Sequence, residues 1–252
     1  MTPRSDPGSA TASTRPATPP RSFERLLALS GVAFALLLLF GWFLSGGDTP
    51  DYLATDEVWT DWAEANRVRS GIGGFLILLA GFALLHFAGT IRNALGKAEA
   101  NVPGSVQLAR VAFAGAVVGA VGITMAIVII GAATSEGANA DPVVSRAVTT
   151  ASAGPYLVAA MGFAALLGSA ALLTLRSGVL PRWTGITALI GAVAFLITFM
   201  TLIAGTGKDS VFGYGFLPGI LTLVIWSTAT SIARYRAVWT ENAATTYGEN
   251  LR

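Results

Sequence analysis

His86 is the only histidine of the 252-residue chain, and it lies in the apolar run GFALLHFAGT, residues 81–90. An ionisable side chain within a membrane span is a candidate functional residue, because placing its charge in lipid is costly. A neutral imidazole could relay protons or hold a polar group of a substrate. The structural alternative, which we favour, is a neutral ring that hydrogen-bonds to Thr90, to a neighbouring helix carbonyl or to headgroup water.

A second group of residues capable of chemistry lies in TDEVWTDWAEANRVRSG, residues 55–71. Asp61, Glu64 and Arg69 are three to five residues apart, so that on a helix they could share one face and act on a substrate at the membrane surface. Together with Asp56 and Glu57, the acids could also bind a cation or a basic partner. A solvated helix face explains the same charges, and we prefer this interpretation.

Several chemistries are excluded by the residue types present. The chain has no cysteine, which excludes disulfides, thiolate metal sites and cysteine nucleophiles. One histidine cannot form the multi-histidine zinc site of intramembrane hydrolases. The segment AGTGKDS, residues 204–210, lacks the first glycine of a phosphate-binding loop and has Asp209 where that motif needs Ser or Thr. We therefore predict no catalytic residue, no metal site and no cofactor.

The composition assigns the chain to the membrane, since 53% of its residues are hydrophobic and only 12% are charged. The net charge is +2, but the basic residues are scattered singly rather than clustered, which argues against nucleic-acid binding. The partners predicted are the lipid bilayer and, as an open alternative, another membrane protein.

Six apolar runs are long enough to cross the hydrocarbon core, which requires about 20 helical residues. None of them contains Asp, Glu, Lys or Arg. The predicted fold is therefore all-α, a polytopic membrane bundle of six transmembrane helices with short amphipathic helices in its outer loops. The predicted spans are approximately 26–45, 71–91, 111–133, 156–175, 184–205 and 214–233.

The spans divide the chain into three parts. Residues 1–22 contain five prolines and little to bury, which predicts a disordered tail. Residues 23–236 form the transmembrane domain, and residues 237–252 form a C-terminal tail. With both termini in the cytoplasm, twelve Lys and Arg residues fall on the inner side and four on the outer side. This bias predicts cytoplasmic termini, because inner loops retain positive charge.

The two large outer loops each contain a helix start signal. Thr55 is a candidate cap for an amphipathic helix that is either separate or continuous with the second span, and Asp141 followed by Pro142 is a second start. Trp59 and Trp62 are predicted to anchor the first of these helices at the membrane interface, and Trp183 to anchor the fifth span at the cytoplasmic side.

Small residues at helical spacing predict where helices approach closely, as in Gly115-x-x-x-Gly119 and Gly215-x-x-x-Gly219. We expect these contacts to lie within the chain rather than at a dimer face. The segments GFALL, residues 81–85, and GFAAL, residues 162–166, leave open a threefold repeat of helical hairpins. Pro218 is expected either to kink the sixth span or to mark its first turn.

The segment SGVLPRWTG, residues 177–185, resembles a cytoplasmic turn of an uncharacterised family of six-helix integral membrane proteins of actinobacterial type. AEANRVRSG and DPVVSRAV, at residues 63–71 and 141–148, are also similar to that family. The resemblance covers residues 25–236 and implies a multi-pass topology in the bacterial plasma membrane. It implies no activity and assigns no catalytic residue.

Three functions remain from the sequence. The preferred one is a non-enzymatic accessory or structural membrane component. The first alternative is a small transporter or a protein that binds lipid or another apolar molecule, with His86 as a polar anchor and hydroxyl residues of the last two spans lining a cavity. The second alternative is a membrane-surface enzyme that uses Asp61, Glu64 and Arg69.

Overall fold

The computed structural model describes residues 26–46, 50, 54–104, 107–135, 141–204 and 211–249. Within these ranges every regular element is an α-helix, which confirms the predicted all-α class. The predicted tail 1–22 lies outside the described residues. The helices are α1 (Ser30–Gly46), α2 (Asp56–Glu99), α3 (Leu108–Ser135), α4 (Pro142–Ala151), α5 (Ala153–Ser177), α6 (Arg182–Thr198), α7 (Thr201–Ala204) and α8 (Val211–Glu249).

Five helical segments in the described chain are long and apolar enough to cross a membrane. They belong to α2, to α3, to α5 together with the end of α4, to α6 together with most of α7, and to α8. They coincide with the second to sixth predicted spans. The first predicted span corresponds to α1, which is apolar but only 17 residues long. At 1.5 Å per residue it extends about 26 Å, slightly less than the ~30 Å hydrocarbon core.

The six long helices form a closed ring in chain order. Each packs against the next along the sequence, α1 on α2, α2 on α3, α3 on α5, α5 on α6 and α6 on α8, and α8 closes the ring on α1. Contacts across the ring, such as α2 on α5, are much sparser. The side chains that face the ring centre therefore decide whether the bundle is hollow.

Aromatic side chains fill the centre of the helix bundle. The ring of Phe216 lies 5.3 Å from Tyr156, 5.9 Å from Phe195 and 6.0 Å from Trp42, so that it joins α1, α5, α6 and α8. Ten residues further along α8, the side chain of Trp226 packs edge-on against Phe87 of α2, with the ring centroids 5.5 Å apart. Each such pair adds to the energy of simple burial. The described core is thus packed with aromatic side chains at both levels.

Glycines allow three helix pairs to approach to backbone contact. A Cβ at Gly115 of α3 would lie 2.6 Å from the carbonyl oxygen of Gly162 on α5, and one at Gly215 of α8 would lie 2.7 Å from the Thr198 hydroxyl of α6. These contacts confirm that both predicted glycine motifs pack within the chain. A third close approach, between Gly41 of α1 and Gly73 of α2, was not predicted.

The two ends of the bundle are built differently. At one end, Asp141 caps α4 by accepting a 2.8 Å hydrogen bond from the Val143 amide, and Pro142 is the first helical residue, as predicted. At the other end, Gly178 terminates α5 in the left-handed conformation at φ 67°, and α6 begins four residues later, directly after Pro181. We call these the platform end and the turn end.

The first outer-loop helix is not a separate element. Residues 56–70 continue without interruption into the second span, so that α2 is one 44-residue helix. Thr55 is its N-cap residue, but its side chain makes no capping hydrogen bond. Pro218 is the eighth residue of α8 and therefore lies inside the helix rather than in its first turn. The same helix runs on to Glu249, through most of the predicted C-terminal tail.

Candidate functional site

The most elaborate surface of the described chain is at the platform end. It consists of α4 and the first 14 residues of α2, Asp56–Arg69, and we call it the platform. Arg146 of α4 forms an ion pair with Asp56, 3.1 Å between Nη1 and Oδ1, across 90 residues of sequence. Both side chains are more than a third exposed, so that solvent screening limits the pair to below about 1 kcal/mol. It positions the two segments more than it stabilises them.

The two platform tryptophans contact each other as well as the bundle. Their rings meet edge-on with centroids 6.1 Å apart, and Trp59 is buried while Trp62 is half-buried. Both were expected to anchor the helix at the membrane interface, but much of their surface is used in packing inside the protein. Trp183, by contrast, is 53% exposed at the start of α6, which is the exposure that an interfacial anchor needs.

The three platform residues predicted to act together, Asp61, Glu64 and Arg69, do not point in the same direction. Asp61 and Glu64 are exposed, together with Glu57 on the same stripe of α2. Arg69 is half-buried and donates hydrogen bonds of 3.2 Å to the carbonyl of Phe43 on α1 and to Oδ1 of Asn66. The arginine thus ties α2 to the end of α1, while the acids point their charge into the surroundings.

His86 lies on the outside of the bundle. Its ring is exposed and packs edge-on against Phe82, one turn away, at 4.7 Å. Thr90 does contact the residue, but its hydroxyl donates to the His86 backbone carbonyl at 2.8 Å rather than to the ring. The imidazole therefore faces the region that lipid would occupy and is separated from the aromatic core by its own helix.

Four hydroxyl residues of the last two spans form hydrogen bonds within their own helices. Thr198 donates to Ala194, Thr222 to Pro218, Ser227 to Val224 and Thr230 to Trp226. Such back-bonding satisfies the hydroxyl without a ligand. These contacts support packing roles rather than a hydroxyl-lined cavity. Among the described residues there is also no group of three or more His, Asp or Glu side chains placed to hold a metal ion.

Sequence reasoning missed a lateral groove beside the platform. It has a volume of about 220 Å³ and lies between α2 and α3, and the end of α1 closes it at the side nearest the platform. Its lining includes Ser45, Ser70, Gly71, Phe75, Ile127 and Gly131. The only sequence signal is the concentration of small residues in SGIGG, residues 70–74, and opposite it at Gly131. Which helices those residues face cannot be read from spacing alone.

Comparison with protein-family models, with curated proteins and with solved structures found no match. The resemblance to an actinobacterial six-helix family therefore stays a prediction, and the site residues are interpreted from their geometry alone.

Proposed function

We propose that this chain is a non-enzymatic accessory or structural component of the bacterial plasma membrane, built as a six-span bundle with both termini in the cytoplasm. The observation that carries the proposal is a densely packed aromatic core beside a platform whose two segments contact each other across 90 residues of sequence. Such a molecule presents a fixed surface on a rigid base.

In this topology α1 is the first span and completes the set of six. A helical turn at residues 26–28 precedes it, and the Ala33 amide bonds to the Leu29 carbonyl at 3.1 Å, which joins the turn to the helix. Residues 26–46 together extend about 31 Å, which matches the hydrocarbon thickness. An even number of spans also agrees with the distribution of Lys and Arg, twelve inside against four outside.

The platform would then lie on the outer surface, where its chemistry suits a protein partner. Glu57, Asp61 and Glu64 form an exposed acidic stripe, and α4 presents Val143 and Val144, both largely exposed. Apolar contact area beside charges is typical of protein interfaces, in which the charges steer association. We therefore propose as partner an integral membrane protein that carries basic residues in the segment facing this surface.

The test is co-purification of the full-length chain from its native membranes in a mild detergent, followed by native mass spectrometry. We expect one protein in fixed stoichiometry with the chain. The double variant Asp61→Arg, Val144→Arg should lose it, because both changes add positive charge to the platform. The control variant Asn93→Arg, at an exposed position of α2 near the turn end, should retain it.

Retention of the partner by the platform variant, or the absence of any stoichiometric protein, would overturn the proposal. A purified single-chain activity abolished by one substitution would contradict its non-enzymatic part.

A further inference from the structure

The groove between α2 and α3 has a polar end and an apolar end. Ser45 and Ser70 line it near the platform, and Phe75, Leu78 and Ile127 line it deeper in the bundle. From Ser70 to Leu78 the helix rises about 12 Å. The groove therefore runs along the membrane normal for about this length, with its polar groups where the hydrocarbon core would end.

Glycine accounts for the open space. A Cβ at Gly71 or at Gly131 would meet no described atom within 4 Å, although both residues line the groove. Close helix packing does not explain these two glycines, in contrast to Gly115 or Gly162. The missing side chains instead leave open space between α2 and α3 among the described residues.

The polar end contains a hydroxyl and lies beside a positive charge. Ser70 is 8% exposed, and its Oγ has no hydrogen-bond partner among the described residues, although a buried hydroxyl normally has one. The adjacent residue, Arg69, places its guanidinium beside the carbonyl of Phe43, two residues before Ser45. Arg69 does not itself line the groove, but it precedes Ser70 in α2 and bonds to α1 near Ser45, so that its charge lies beside the polar end of the groove.

We propose that the groove binds one phospholipid from the leaflet at the platform end, with an acyl chain between α2 and α3 and the phosphate at Arg69. A guanidinium matches a phosphate in charge and in hydrogen-bond geometry. Ser70, whose hydroxyl has no partner among the described residues, supplies a hydrogen-bond donor for the ester region of the lipid. This inference rests on the groove and is independent of the protein partner proposed for the platform.

The volume of the groove limits the kind of molecule that it can bind. Its 220 Å³ is below the roughly 300–1,000 Å³ typical of pockets for drug-sized molecules. A single hydrocarbon chain is narrow enough to enter, and the lateral opening lets it do so from the bilayer. The site differs from the general lipid annulus because it has a shaped wall and a cation, Arg69, beside its polar end.

The experiment compares lipid retention by full-length variants in native mass spectrometry, after reconstitution with phosphatidylglycerol and stepwise delipidation. Wild-type protein should retain one phosphatidylglycerol that Gly71→Leu loses, because the new side chain fills the groove. The matched control is Gly89→Leu, on the same helix, where a Cβ would also meet no described atom within 4 Å. This control should retain the lipid as the wild type does.

A second pair of variants tests the headgroup contact. Arg69→Gln should weaken retention about tenfold, since it removes the charge, and Arg69→Lys should recover part of the loss. Should Gly71→Leu fail to fold, Gly131→Leu on the opposite wall replaces it. Equal retention by wild type and the groove-filling variant would overturn the proposal, as would a retained adduct whose mass is not that of a phospholipid. Unchanged retention by Arg69→Gln would overturn the role of the guanidinium.

Discussion

Helix α3 has two glycine-lined sides, and they are used in opposite ways. Toward α5, Gly115, Gly119 and Gly122 meet backbone or ring atoms so closely that no side chain fits. Toward α2, Gly131 lies opposite Gly71, and neither would place a Cβ within 4 Å of a described atom. We call these the closed seam and the open seam.

The difference shows that glycine in a membrane helix has at least two structural meanings. In the closed seam it permits backbones to touch, which is the main source of helix association where no hydrophobic effect operates between helices. In the open seam it removes bulk and leaves a groove that lipid can enter. Both sides contain glycine, and the relative placement of the helices separates the two cases.

The comparison predicts the largest effect for the aromatic ring next to the closed seam. Phe163 of GFAAL is fully buried, whereas Phe82 of GFALL is 63% exposed. Phe163→Ala should lower the free energy of unfolding by about 3–5 kcal/mol, because it opens a cavity in the core. Phe82→Ala should change it by less than about 0.5 kcal/mol. Unfolding midpoints in detergent micelles measure both, and equal losses would place the two motifs in equivalent environments.

A side chain added to the closed seam should be nearly as damaging. Gly162→Leu forces α3 and α5 apart, and overpacking of this kind costs about 1–3 kcal/mol or more. The control is Gly154→Leu on the same helix, where the added Cβ would meet open space. Thermal unfolding of the two variants side by side is the measurement. A Gly162→Leu protein as stable as its control would mean that the helices are not in backbone contact.

The open seam should tolerate the same change. Gly131→Leu is expected to alter the free energy of unfolding by less than about 0.5 kcal/mol, since nothing has to move. The same unfolding assay, carried out in delipidated micelles, checks this prediction without a contribution from bound lipid. A loss comparable to that of Gly162→Leu would show that both sides of α3 are closed.

The ion pair of the platform should have the smallest effect. In a double-mutant cycle, Asp56→Asn and Arg146→Gln should couple by less than about 1 kcal/mol, because both groups are partly exposed. The coupling should fall further as salt is added. A coupling of several kcal/mol that is insensitive to salt would mean that the pair is shielded from water.

Much of the fold could be predicted because it depends on local signals. Apolar runs of about 20 residues located five spans and α1, and the Asp141-Pro142 start and the Gly178–Pro181 turn were each recognisable from the chemistry of a few neighbouring residues. The sequence left the continuity of α2 open, since residues 69–73 neither end a helix nor require one.

The candidate site was less predictable because it depends on how helices are rotated about their axes. Whether His86 faced the core or the exterior could not be decided from an apolar sequence on all sides of the helix. The same holds for Gly71 and Gly73, two residues apart, of which the second touches Gly41 of α1 and the first opens on the groove. These outcomes follow from the packing of the whole ring.

Single-cysteine labelling tests most directly the proposed six-span bundle with its platform outside the cell. The chain has no native cysteine, so that each introduced thiol reports alone. In intact cells a membrane-impermeant maleimide should label Asp61→Cys and Val144→Cys. Asn101→Cys, Val179→Cys and Ser9→Cys should react only after lysis. Labelling of Ser9→Cys from outside would remove α1 from the membrane, and protection of Asp61→Cys would contradict the proposed topology.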